Sequence, residues 1–512
     1  MVGAKWTAVA AALLVSPAAN ADVSISNKPT QNMSCDSGVC MATAPNAILN
    51  VFELQNMLAG GDVAVKTGSI AKDIDIHQPL TWTSTNRLTL DALRSVAIDK
   101  PVTVSGPGAL SIATNDGGSE GDVLFEKNGR ISFADVGSSL IMNGQSYELV
   151  NDIATLATKI ASNPSGFYAL ANSYDSKPNV FQTVPIPTDF AGTFEGLGQR
   201  ILHLKIKNPK GDRQGFFGYV LPSGIVRDVA FTHAKVSSQE ARSVGILAGR
   251  NDGNISHVVT AGTLTAVSAE VGGLVGTNYG TIANSASAVD VTATGASTTG
   301  GLVGSSLGEI TLSNASGTVF GGAGVGGLAG GASNVSMSFS TGNVIGGPGT
   351  SVIGGLVGGG SKLSQSYATG TVVANLSHVV AGGFAGAGQE ISNCYATGAV
   401  STGKKSYIGG LVGRGFSIST SYAVGALAVD DPRKIGGFIG KLDLHKSATH
   451  SYWDTDTAGV AVGCGNRQCP GVTGLSTQEF VSALPDEFDG NIWGQSPNIN
   501  NGYPYLLANP PR

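Results

Sequence analysis

Few residues in this chain have the type and spacing to do chemistry. Three aspartate pairs, Asp73 with Asp75, Asp430 with Asp431 and Asp454 with Asp456, could act as general acid and base or hold calcium if they projected from one strand face. The same pairs also fit solvated turns between strands: Asp430-Asp431-Pro432-Arg433 has turn composition, and Asp454-Thr455-Asp456 sits in a terminal element. Solvated turns are the expectation. His77, His203, His233, His257, His378, His445 and His450 lack the mutual spacing of metal ligands and read as turn or surface residues. Neither an H-E-x-x-H zinc motif nor a G-x-S-x-G nucleophile elbow occurs. Cys394 is a lone thiol in a position that other copies of a repeat fill with Ser366, Ser421 and Ser451, which marks a small-residue packing slot rather than a nucleophile. No catalytic, cofactor-binding or metal residue is assigned, and the expectation is a protein that is not an enzyme and carries no cofactor.

The other four cysteines form two C-x4-C pairs, Cys35 with Cys40 and Cys464 with Cys469, read as short-loop disulfides of an exported chain. Export also follows from residues 1–21, where Lys5 precedes an apolar stretch and Ala19-Asn20-Ala21 forms a cleavage site, so the mature chain begins at Asp22. That stretch is about half the roughly 20 residues a transmembrane helix needs, and no later segment approaches that length uninterrupted. The chain is expected outside the cell or on a bacterial cell surface, with the periplasm as the alternative compartment. A formal charge of −5 gives no electrostatic case for nucleic acid.

The elements that would position any site come from a repeat. Glycine supplies 74 of 512 residues, which argues against several ordinary globular cores and for an elongated architecture. The hexapeptides VGILAG, VGGLVG, TGGLVG, VGGLAG, IGGLVG, AGGFAG, IGGLVG and IGGFIG recur at steps of 27, 28, 26, 28, 28, 27 and 27 residues. Short runs of β-branched and small residues between glycine or asparagine turns predict strands, and a rung of about 27 residues can bury its apolar face only by stacking. The fourth position reads Leu247, Leu274, Leu302, Leu328, Leu356, Phe384, Leu411 and Phe438, an inward ladder. A second column, Val259, Ser285, Asn314, Phe339, Tyr367, Tyr395, Tyr422 and Tyr452, is also expected to stack inward.

The VGGLVG element and its companion, SYATGTV from Ser366 or CYATGAV from Cys394, resemble the GLUG repeat of filamentous-haemagglutinin-like bacterial adhesins and of the stalks of some IgA-cleaving metallopeptidases. The stretches Leu80–Ile112 and Asn143–Asp175 and the ending from YWDTDTAG to GYPYLL are similar to the flanks of such arrays, so the resemblance covers roughly residues 47–508. It implies an all-β, right-handed parallel β-helix. The domain reading is a signal peptide at 1–21, a linker at 22–46, N-terminal rungs at 47–138, a helix-containing insertion and transition rung at 139–200, a GLUG solenoid at 201–450 and a C-terminal cap at 451–512. Helices are expected near Asn50–Leu58, over the open first rung, near Leu149–Ile160, and from a capping box at Ser476 to Leu484. The resemblance implies adhesion to an unassigned surface ligand, a glycan or a host or cell-surface component, with an export partner the sequence does not name. The rival function is a β-helix polysaccharide lyase or hydrolase acting on acidic glycans.

Overall fold

The computed structural model describes residues 22–116, 118, 120–207, 211–267, 269–429 and 434–511. The export signal at 1–21 and the Asp430–Asp431 pair lie outside them. The chain folds as a right-handed parallel β-helix with few helices. It divides into two compact units: residues up to Asp175 with Gly192–Ile201 and Val226–Ala230, and Ser176–Ala191 with Leu202–Ile225 and the chain from Phe231 onward.

In the first unit each turn of the helix lays down three short strands. Ile74–Ile76, Leu80–Trp82 and Arg87–Asp91 make one turn; Val96–Ile98, Val102–Val104 and Ala109–Ala113 stack on them in parallel register. Alternation decides what is inside: Ile74, Ile76, Leu80, Leu88 and Leu90 are fully buried, and residues between them face out. Residues 22–46, which the sequence reads as a linker, instead hold strands. Val23–Ser26 pairs in parallel with both Ala47–Asn50 and Ile74–Ile76, and Met33–Asp36 forms a hairpin with Val39–Ala42 across which Cys35 and Cys40 are bonded. The physical signal is only Val23 and Ile25, both fully buried, in a polar stretch too short for a periodicity to stand out. Helix α1, Val51–Gly60, buries Val51, Leu54 and Leu58, is N-capped by Asn50, and packs against Ala47–Asn50 and Leu80–Trp82, each the last strand of its sheet. Helix α2, Ile153–Ser162, is N-capped by Asp152, and Leu149 belongs to the preceding strand.

The second unit contains the repeats. The eight ladder side chains Leu247 to Phe438 are all fully buried, and each backbone N–H from Leu247 to Leu411 donates to the carbonyl of the next member at 2.7–3.0 Å. Burying each such side chain contributes about 1.5–3 kcal/mol. The paired glycines are required at the facing wall: a methyl on Gly355 would stand 2.9 Å from Ala368 Cβ, and one on Gly410 would stand 3.0 Å from Ala423 Cβ. A left-handed residue turns the chain in successive rungs, at His257, Asn284, Leu312, Met337, Gln365, Asn393, Thr420 and His450. Leucine, methionine and threonine rarely adopt this conformation, so the stacked hydrogen bonds on either side must impose it. Beside this turn the buried serines form their own ladder, Ser285 N–H to Ser313 Oγ, Ser313 to Ser338 and Ser338 to Ser366, each 3.1 Å, and Cys394 N–H donates to Ser421 Oγ in the same way.

The tyrosine column corrects the inward expectation. Because Ala368, Ala396 and Ala423 face the glycine wall across the interior, the preceding Tyr367, Tyr395 and Tyr422 stand on the opposite, outer side of their two-residue strands. They are nevertheless buried, stacked at 4.8 and 5.1 Å, because the C-terminal segment lies over them. Helix α3, Thr455–Ala458, and helix α4, Thr477–Ser482, lead into this segment, and α4 opens with the capping box Ser476–Glu479. Phe480, Phe488, Trp493, Tyr503 and Leu506 pack on the phenol rings; Tyr422 donates to Pro504 O (2.5 Å) and Tyr367 to Pro510 O (3.3 Å).

Candidate functional site

Asp73 and Asp75 are not turn residues. Strand Ile74–Ile76 points its isoleucines inward and so places Asp75 on its outer face. Asp73 is buried and committed, accepting from Arg94 Nε at 2.8 Å and from Ser95 N–H at 2.9 Å. Desolvation, reinforced by the charge of Asp22, pushes the Asp75 carboxyl up to about 7. His77 Nδ1 lies 3.0 Å from Asp99 Oδ2, which also takes Lys127 Nζ at 2.7 Å; these bonds outweigh the burial of Asp99 and hold its carboxyl below the usual range.

Sequence reading missed a buried charge network in the same unit. Fully buried Glu195 accepts from Arg227 Nε at 2.7 Å, Asp122 accepts from Arg227 Nη1 at 3.1 Å, and Asp228 lies 3.8 Å from the guanidinium. Burial and the Glu195 charge push the Asp228 carboxyl upward. The partners are up to 105 residues apart and share no motif, so only isolated charges in apolar surroundings could have hinted at them.

Of the Asp454 pair, Asp454 is structural rather than solvated, while Asp456 is exposed as expected. Asp454 is fully buried, N-caps α3 and accepts from Thr477 Oγ1 and Tyr503 OH at 2.7 Å, while Asp456 accepts from Thr477 N–H. Both pin the C-terminal segment. Cys394 is fully buried, and desolvation pushes its thiol up to about 12, far from a nucleophile's range.

The side chains that reach solvent in ordered arrays lie on the outer face of the second unit. One parallel-register column runs Tyr219, Arg250, Thr277, Ser305, Gly331, Gly359, Ala387, Arg414 and Lys441, small in the middle and cationic or aromatic at both ends. At its start Arg213 and Arg250 stack on the Tyr219 ring at 4.4 and 4.9 Å, and Arg250 also covers exposed Tyr279 at 4.5 Å. Beside Arg213 lies a shallow depression of about 450 Å³ lined by Thr183, Pro187, Asp189 and Asp212. At its end Lys434 and Lys441 lie over Tyr407 (4.7 and 5.4 Å), and Arg414 and Lys446 over Phe416 (5.5 and 5.8 Å). The residue one place beyond each hexapeptide carries this column, so a longer alignment of the repeats would have found it. Cys464 and Cys469 are bonded, and their loop flanks the last long strand, Ile439–Thr449: Asn466 exchanges hydrogen bonds of 2.9 Å with the backbone of Leu442.

No family model matches the chain. A stretch of 225 residues, 42% of the chain, is 29% identical to Halomucin of Haloquadratum walsbyi, and the match spans 2% of that protein's length. A solved structure from Bacteroides ovatus, a candidate immunoglobulin A1 protease, aligns over 71% of this chain and 92% of its own at 17% identity and a TM-score of 0.33. Among the described residues no helix is long and apolar enough to cross a membrane.

Proposed function

We propose that this chain is a secreted or cell-surface, adhesin-like β-solenoid of the GLUG-repeat, filamentous-haemagglutinin-like kind, which attaches through repeated surface contacts and turns nothing over. The observation that carries this reading is the outer column from Tyr219 to Lys441, in which the rungs toward its two ends hold Tyr219, Arg250, Arg414 and Lys441 in register at the surface of the stacked strands, with buried Thr277 and small residues between them. Contacts of this geometry are individually weak and gain strength by being summed along the stack. The partial likeness to Halomucin and the repeat motif support the same reading. Purified protein starting at Asp22 should be retained on bacterial or host cell surfaces, and in-frame removal of one and then two whole repeats should weaken retention gradually. No retention on any surface would overturn the proposal.

Cleavage of acidic glycans is the second reading, favoured by one observation: the outward Asp75 carboxyl, raised to about 7, is poised to exchange a proton near neutrality. It requires unsaturated or reducing ends to appear from polygalacturonate or alginate at a rate that Asp75→Asn abolishes.

A further inference from the structure

We infer that the final turns of the solenoid bind an anionic polysaccharide along a row of cations centred on Arg414, Lys441 and Lys446; this names the ligand class for the surface-contact reading and rests on it. The chain as a whole is acidic, with 30 basic against 35 acidic side chains, yet here cations gather. Arg414 and Lys441 are register partners on neighbouring strands, about 4.8 Å apart along the stack, and Lys434 and Lys446 flank them through the shared rings of Tyr407 and Phe416. One carboxylate, Asp443, pairs with Arg414 at 2.9 Å; Lys441 and Lys446 make no ion pair among the described residues.

A second feature belongs to this place. Gly415 pairs with Leu442 and Ser417 with Ser447, so residues 443–446 of the last long strand bulge out of the sheet. The bulge carries Lys446 outward, and Leu444 on it is 77% exposed. Such interruptions re-aim side chains at the edges of sheets. The bulge is braced from behind, because Arg467, inside the Cys464–Cys469 loop, donates to the carbonyls of Asp443 (2.7 Å) and Lys446 (2.8 Å). That bracing fixes the cations before a ligand arrives and reduces the ordering penalty of binding.

The ligand chemistry follows from the arrangement. Cations in a row at rung spacing read anions in a row, and half-buried aromatic rings between them offer apolar faces to sugar rings. A single small anion would leave most of the row unused. An anionic membrane would favour protruding aromatic side chains, whereas here the cations lie over the rings.

The test uses the whole mature protein and four probes: polygalacturonate, dextran sulfate, neutral dextran, and phosphatidylcholine vesicles containing phosphatidylserine. Both anionic polymers should bind, more weakly as salt rises, and neutral dextran should not. The double variant Lys441→Glu/Lys446→Glu should lose at least tenfold in affinity for both polymers with unchanged circular dichroism and unfolding midpoint. Lys235→Glu, an exposed charge reversal elsewhere in the unit, should change affinity less than twofold. Equal losses in both variants, an unchanged double variant, or binding to vesicles alone would each overturn the inference. Cell-surface retention by a wild-type protein that binds neither anionic polymer would overturn the inference while leaving the surface-contact reading intact; absence of both polymer binding and retention would overturn both.

Discussion

Replacing Tyr422 by alanine should release the C-terminal segment while the repeats stay stacked. Tyr422 lies 5.5 Å from Phe480, 5.8 Å from Trp493 and 6.5 Å from Tyr503, ring centre to ring centre; its hydroxyl donates to Pro504 O and accepts from Asn500 Nδ2 at 2.8 Å. Truncating a buried aromatic to alanine typically removes about 3–5 kcal/mol. Tyr395, at 5.1 Å on the neighbouring rung, is a partner that stays with the repeats, so roughly half of that loss, about 2 kcal/mol, falls on docking of the segment. The lost hydrogen bonds add about 1 kcal/mol. A total of about 3 kcal/mol multiplies the undocked population by about 150. Limited proteolysis within residues 476–511 reads that population, and a red shift of Trp493 emission accompanies it. Tyr422→Phe, which loses the hydrogen bonds alone, should raise cleavage only about fivefold. The control is Leu411→Ala in the interior ladder, which should lower the global urea midpoint by an amount equivalent to about 2–5 kcal/mol. If Tyr422→Ala instead lowers the global midpoint as much as Leu411→Ala while segment cleavage is unchanged, the tyrosines face inward and the reasoning is wrong.

Three further outcomes are expected. Because the folded-state pKa of Asp75 is raised to about 7, the native state binds more protons than the unfolded chain between pH 4 and 7, so its contribution to stability is lost as pH rises through that window. Asp75→Asn should therefore stabilise by up to about 4 kcal/mol at pH 8 and by much less at pH 4, as read from unfolding midpoints; equal effects at both pH values would refute the assignment. Arg227→Met strands Glu195, Asp122 and Asp228 together and should cost about 3–5 kcal/mol, part of which Glu195→Gln restores; a loss below 1 kcal/mol would show the network to be dispensable. Cys394 should resist a thiol reagent at pH 8 until the chain is unfolded, and reducing Cys35–Cys40 and Cys464–Cys469 should cost no more than about 2 kcal/mol each, since both close short loops. Rapid native labelling of Cys394, or loss of the β circular-dichroism signal on reduction, would contradict this.

The repeat array was legible because an in-register parallel stack turns sequence period into spatial contact. Leu356 meets Leu328 and Phe384 simply because each is one period away, so reading the column reads the interior. Helix α2 and the capping box at Ser476 were legible for a similar reason, since helical spacing and capping chemistry act within a few residues. The tertiary structure decided what no period encodes. Which face of a two-residue strand holds Tyr395 depends on what lies opposite its neighbour Ala396 and on a segment some hundred residues later that supplies Trp493. The same distance hid the role of Asp454, whose partner Tyr503 is 49 residues away, and the burial of Glu195 with Arg227. Outward residues in register make few contacts to constrain their type, so the cation row left a sequence signal only in Arg414 and Lys441, each one place beyond a hexapeptide, while Lys446 carried none. It became a surface when the stack set them about 4.8 Å apart and the bulge at residues 443–446 turned Lys446 outward.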